Sequence, residues 1–179
     1  HNCESIWPSI TYGEPDHWRN WVYATFYCTH SLGPIIHITG LRPVSVIGLE
    51  GTKNERDLRV GKRSGQFGME MVTLENGGIV KSIQLYKNSI WYSVYGSKGE
   101  MESSREAAKA GNVGRIYVKA DEYSGGYDTE KYENYEPKHG MEDRLRGFGH
   151  GGSDYYSMYH FVEKVLGNPD ADTIDVYEA

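Results

Sequence analysis

Apolar and polar positions fall into a few readable runs along the chain. In "SLGPIIHITG", Leu32, Ile35, Ile36 and Thr39 recur at helical spacing, Thr29 or Ser31 offers an N-cap, and Gly40 ends the run. Pro34 is tolerated in a first turn, which places the helix start near Ser31. "RPVSVIGLEG" follows, with Val44, Val46 and Gly48 on one strand face, and residues 51–65, rich in charge and glycine, read as a loop.

Three strand patterns come next: "QFGMEMVTLE", "GGIVKSIQLY" and "SIWYSVYGSKGEMES". Asn76 and Gly77 between the first two predict a hairpin closed by a type I′ turn, in which both central residues take positive φ. "YKNS" predicts a second tight connection, and "VGRIYVKA", after the alanine-rich "REAAKAGN", predicts a further strand. Strands joined this closely pair antiparallel, because a parallel crossover needs roughly a dozen residues or more. Residues 120–149 dissolve into charge, glycine and spaced tyrosines and read as a long loop or insertion. "SDYYSMYHFVEKVLGNP" then predicts a helix with Tyr155, Met158, Tyr159, Val162, Val165 and Leu166 on one stripe. Ser153 or Asp154 caps it, and Gly167 stops it before Pro169. The expectation is an α+β fold, an open and mainly antiparallel sheet with helices packed on one face. At 179 residues it forms a single domain over 1–179.

Charge narrows the partners. The net charge is −6, and the 19 Lys and Arg are scattered rather than gathered on a basic face, so no nucleic-acid partner is expected. No window approaches the ~18 apolar residues of a bilayer-spanning helix, so no membrane partner is expected either. A small polar ligand fits better. Cys3 and Cys28 are too few for a disulfide framework and favour a reduced, cytoplasmic setting. The opening at His1 and the close on "TIDVYEA", where a new element begins, read as a fragment of a longer chain.

Candidate chemistry concentrates at two places. His30 stands at a helix start, where the positive end of the dipole favours a neutral imidazole able to accept a proton; Tyr27, three residues earlier, adds a second proton carrier. From the residues alone two readings stay open: a catalytic base, or a satisfied core histidine beside an aromatic cluster. His37, inside the apolar run, reads as packed. "GFGHGG" at 147–152 satisfies G-x-G-x-x-G, yet a dinucleotide fingerprint needs a strand before it and a βαβ unit after it, and "EPKHGMEDRLR" is no strand. The stretch reads as a loop meeting a helix, with His150 and the helix start offering donors to a polar ligand. His30, His139, His150 and Cys3 lack metal-ligand spacing, so no metal is expected. The tyrosines of "YSGGYDTEKYENYEP" suit stacking on sugar rings.

"FYCTHSLGPIIHITGLRPVSVIG", "WYSVYGSKGEME" and "GHGGSDYYSMYHFVEKVLGN" followed by "IDVYEA" resemble the carboxy-terminal domain of the Gfo/Idh/MocA oxidoreductases. The resemblance spans most of the chain outside 52–64 and 120–146. It implies a sugar-acting enzyme whose Rossmann domain, absent from this sequence, holds NAD or NADP, so the fragment alone is expected to be inactive and to bind no cofactor. It also implies a substrate pocket, and a homo-oligomer formed through the sheet face. A branch of NAD-dependent α-N-acetylgalactosaminidases is similar at Tyr27, Thr29, His30, Leu32, Gly33 and Pro34, with Trp18 and Arg19 resembling its upstream pair. Cys28 stands where that branch has proline, and Phe26 where many family members have aspartate. By this resemblance His30 and Tyr27 are catalytic, and Arg19, Trp18, Thr29 and His150 contact substrate. The alternative is a non-catalytic carbohydrate-binding or oligomerisation domain.

Overall fold

The structure, a computed structural model, describes residues 7–52, 55, 65, 67–84, 91–97, 99–103, 114–118, 133–135 and 140–176. Cys3, His139, the "YKNS" connection, the "REAAKAGN" stretch, nearly all of the 52–64 loop and most of the spaced tyrosines lie outside them. The chain divides into two compact units, with the boundary between residues 90 and 91. The architecture is the expected α+β, with every sheet pairing antiparallel.

The first unit begins with a short helix α1 (Trp7–Ile10), followed by the 3-10 turns η1 (Trp18–Trp21) and η2 (Ala24–Cys28). η2 runs directly into α2 (Thr29–Thr39), so the helix starts earlier than the sequence pattern predicts and Pro34 sits inside it. No side chain caps α2; the upstream turn feeds it, and the Ser31 hydroxyl points to the sheet instead. Gly40 ends it in the left-handed region, as expected. Pro34 supplies no N–H to the carbonyl four residues back, that of His30.

Strands β1 (Pro43–Glu50), β2 (Gly68–Leu74) and β3 (Ile79–Gln84) form a sheet in that order. Alternation puts Gly68, Glu70, Val72 and Leu74 of β2 on one face with Ser82 and Gln84 of β3, and all six are buried. Val72 and Leu74 form the apolar core here, each worth about 1.5–3 kcal/mol of burial. The β2–β3 hairpin lies where Asn76 and Gly77 predict it, but the turn is different. Only Gly77 has positive φ, and its N–H donates to Leu74 O at 2.8 Å. Asn76 instead turns its side chain to accept from the Gly78 N–H, giving a three-residue loop with a left-handed glycine.

η2 and α2 cover the β2–β3 part of that face. Gly68 makes this possible: a Cβ there would stand 2.9 Å from Thr25 Cγ2 and 3.0 Å from Thr25 N. The Thr25 N–H and hydroxyl both donate to Glu50 Oε1, at 2.8 and 2.6 Å, tying η2 to β1. The opposite face presents Ile47, Leu49, Met71, Ile79 and Ile83 to solvent.

In the second unit the third predicted strand is a hairpin, β4 (Ser93–Gly96) and β5 (Gly99–Glu102), with Gly96 paired to Gly99. β6 (Gly114–Val118) and β7 (Glu133–Tyr135) complete a sheet in the order β4-β5-β6-β7. β7 and a helical turn α3 (Glu142–Leu145) fall inside the stretch read as a loop. A turn η3 (His150–Gly152) leads into α4 (Ser153–Val165). α4 ends as predicted at Gly167: the Asn168 N–H reaches Glu163 O and the Gly167 N–H reaches Lys164 O, the paired bonds of a Schellman motif. Its apolar stripe is not a buried stripe, however. Tyr155 and Tyr159 are half-buried, with Phe148 against Tyr155, while Met158, Val162, Val165 and Leu166 stay exposed.

Candidate functional site

Four of the six residues singled out in sequence come together through one chain of rings in the first unit. Asn20, buried, donates to the carbonyls of Glu14 and Pro15 at 2.9 and 3.0 Å, which fixes η1. His17 Nδ1 accepts from the Arg19 N–H at 3.2 Å, and the Arg19 guanidinium lies over the Trp18 ring, 4.7 Å from its centroid. From Trp18 the rings continue edge-on to Phe26 at 6.4 Å, to Tyr27 at 6.0 Å, and on to His30 at 5.8 Å. Trp18, Phe26 and His30 are exposed and Tyr27 is half-buried. His30 is exposed, while Ser31, one residue on, faces the sheet. Thr29 also belongs here, its hydroxyl 3.4 Å from His30 Nδ1. Phe26 serves as a ring bridge between Trp18 and Tyr27.

Directly beneath this run lies a polar floor that sequence reasoning missed. Ser31 Oγ donates to Cys28 O at 3.1 Å, stands 2.6 Å from Ser82 Oγ, and accepts from Gln84 Nε2 at 2.8 Å. Across the Ser31–Ser82 contact either hydroxyl can donate. Glu70, paired in register with Ser82, is left without a donor: it is 5% exposed and neither carboxylate oxygen has a hydrogen-bond partner. Burial pushes its carboxyl above the ordinary range. The nearby Ser82 hydroxyl and its own backbone lower it, and the Glu50 charge raises it further. Burial, and next the Glu70 charge, push up the Cys28 thiol, a free cysteine. That thiol is a poor nucleophile as a result. The signal for this floor was present in the alternation of "GMEMVTL", where Glu70 shares parity with Val72 and Leu74.

His150 lies in the second unit. It holds positive φ, 52°, between glycines, and its Nδ1 stands 2.8 Å from Asp154 Oδ1. A Cβ at Gly149 would meet the Asp154 carboxylate and push it aside. Gly152 likewise lets α4 approach Leu145. The carboxylate orients an exposed imidazole, an arrangement suited to hydrogen bonding or proton transfer with a polar ligand. On the other side of α4, Tyr156 donates to Asp172 at 2.9 Å and His160 Nδ1 accepts from the Asp172 N–H at 2.9 Å. Burial and the Asp172 bond and charge raise the Tyr156 pKa.

G-x-G-x-x-G at 147–152 follows the helical turn α3, not a strand, and both sheets are antiparallel, so the residues described do not fit a dinucleotide cradle. Among the described residues no three His, Cys, Asp or Glu are grouped to hold a metal, and no helix is long and apolar enough to cross a membrane.

No protein-family model and no curated protein matches the chain. Solved structures do. The aldose-aldose oxidoreductase of Caulobacter crescentus, complexed with glycerol, is similar over 89% of this chain and 43% of its own, at TM-score 0.57 and 21% identity. The UDP-N-acetylglucosamine 3-dehydrogenase of Acidithiobacillus ferrooxidans is similar over 80% and 38%, at TM-score 0.50 and 12% identity. The chain spans about two fifths of the length of these structures, and what it shares with them is the fold.

Proposed function

We propose that this chain is the substrate-binding part of a nicotinamide-dependent enzyme acting on a sugar or sugar derivative. The carrying observation is the exposed run Trp18–Phe26–Tyr27–His30 with Arg19 over Trp18. Aromatic faces with polar tips suit the alternating C–H and hydroxyl faces of a sugar ring. Arg19 holds a hydroxyl or acidic group with its fixed fork of donors, and Thr29 hydrogen-bonds the His30 ring. His30 takes a proton from a substrate hydroxyl and Tyr27 stands near enough to return one. The two structural neighbours, both named as sugar enzymes, support this class.

The chain spans about two fifths of the length of the two neighbours, which supports assigning NAD or NADP to a part of the whole protein outside this chain, with the chain alone inert. Tight NAD binding to the 179-residue chain in calorimetry overturns that assignment. Both net oxidation and NAD-dependent glycoside cleavage use the same His30 and Tyr27. The free Cys28 thiol fits a cytoplasmic setting. The apolar outer face of the first sheet, with Ile47, Leu49, Met71, Ile79 and Ile83, supports association of two copies through that face.

In the whole protein, supplied with NAD or NADP and a panel of aldoses and glycosides, His30→Ala should lower turnover by about 10²–10⁴-fold with folding intact. Unchanged turnover removes His30 from the chemistry. The exposed rings, with Phe26 in place of a carboxylate, also favour the non-catalytic sugar-binding reading, which that outcome would select.

A further inference from the structure

Glu70 is the one described carboxylate that is both buried and without a partner on either oxygen. Its place in the fold gives it leverage. In register it stands between Gly48 of β1 and Ser82 of β3, and Ser82 grips Ser31 in the first turn of α2. The same carboxyl acts on Cys28, whose carbonyl receives the Ser31 hydroxyl. Cys28 and Ser31 bracket Thr29 and His30, and Tyr27 adjoins Cys28. The backbone that carries the proposed site is thus seated on a slot floored by Glu70.

We propose that Glu70 is a positioning residue: its neutral form lets the η2–α2 junction rest on the sheet, and its ionisation unseats that junction and displaces Tyr27 and His30. The inference rests on the reading of Tyr27 and His30 as site residues. Burial, the largest influence, and the Glu50 charge make ionisation of Glu70 unfavourable, whereas the Ser82 hydroxyl and the Glu70 backbone favour it. Of the groups facing Glu70, β1 contributes the Glu50 carboxylate; β3 contributes Ser82 and Gln84, which hydrogen-bond to each other and to Ser31; the junction contributes the Cys28 thiol. The amino-terminal charge also favours ionisation and is the weakest influence. An ionised Glu70 therefore needs water, and the element packed over its face is the η2–α2 junction.

The sign follows from linkage. The folded-state pKa is raised above the unfolded value, so the seated arrangement is fully favoured below the unfolded pKa and is lost as pH rises through the folded one. Between the two values the unfolding constant should grow by up to about tenfold per pH unit. The experiment compares the chain with its Glu70→Gln variant, a neutral side chain of the same shape. Denaturant unfolding is measured across pH, together with NMR of the Tyr27 ring and the Thr29–Ser31 amides. The wild type should lose stability as pH rises toward the folded-state pKa and shift those signals as that value is passed, and the variant should do neither there. A variant that reproduces the wild-type slope and shifts overturns the proposal. So does a wild type whose stability falls while the site signals stay still, since Glu70 would then be merely structural. If the variant does not fold, the ¹³Cδ signal of Glu70 in the wild type decides. Titration above the ordinary carboxylate range, tracking Tyr27, supports the proposal, whereas titration in the ordinary range or without Tyr27 overturns it. No readout involves sugar or cofactor, so failure here leaves the sugar-binding reading standing, and a chain that binds no sugar can still show the Glu70 titration.

Discussion

Gly68→Ala tests how the site is seated on the sheet. The new Cβ would stand 2.9 Å from Thr25 Cγ2, 3.0 Å from Thr25 N and 3.1 Å from Glu50 Oε1, so it presses on the turn and on the carboxylate that holds it. Overpacking of this kind costs about 1–3 kcal/mol, and replacing glycine within a strand returns roughly 0.5–1 kcal/mol, which leaves a net loss of roughly 1–2 kcal/mol. For a unit of this size the melting temperature should fall by roughly 5–15 °C. Denaturant unfolding followed by tryptophan fluorescence reads the loss, and the Tyr27 and His30 ring signals should move with it. Thr25→Ser removes the Cγ2 methyl but not the backbone nitrogen, so the double variant should recover roughly half of the loss, a coupling of about 0.5–1 kcal/mol. Equal stability of wild type and Gly68→Ala, with no coupling to Thr25→Ser, would mean that η2 is not seated against β2 as described.

Other outcomes follow from the same geometry. Gly149→Ala needs no new backbone conformation, since Gly149 has φ −62°, but it should force the Asp154 carboxylate away from His150. That pair is exposed, so stability should change by less than ~1 kcal/mol while the His150 ring signals shift clearly; unmoved signals would contradict the steric account. Ile47→Lys on the outer sheet face should weaken self-association in sedimentation without unfolding the chain, and an unchanged distribution of species would remove that face from the interface.

Much of the fold was legible because periodicity and turn chemistry are local. Gly40 and Gly167 end their helices as the pattern predicts, and the Asn76–Gly77 hairpin joins the strands it should. The errors arise where a tertiary contact decides. The start of α2 is set by the 3-10 turn ahead of it, which no cap residue reveals. The turn after Leu74 uses one left-handed residue rather than two, because the Asn76 side chain finds the Gly78 N–H. "GSKG" was read through as strand, although the pairing of Gly96 with Gly99 makes it a hairpin. The α4 stripe looks like core in sequence, but periodicity reports an apolar face, not whether anything covers it.

At the site, adjacency in sequence was enough to bring Tyr27, Thr29 and His30 together, and Trp18 and Arg19 join them only because Phe26 bridges the gap. Glu70, Ser82 and Gln84 were missed because each is an ordinary residue in an alternating strand. What distinguishes them is the pairing of β2 with β3 beneath α2, a contact between residues far apart in sequence.

The central claim is that the exposed ring run ending at His30 takes a sugar. Titration of the chain with aldoses and glycosides, followed by NMR of the Trp18 indole and the His30 imidazole, tests it most directly. The two signals should shift together and saturably with at least one sugar, and His30→Ala should weaken the binding seen at Trp18. Sugar-induced shifts confined to other residues, or none across the panel at millimolar concentration, would contradict it.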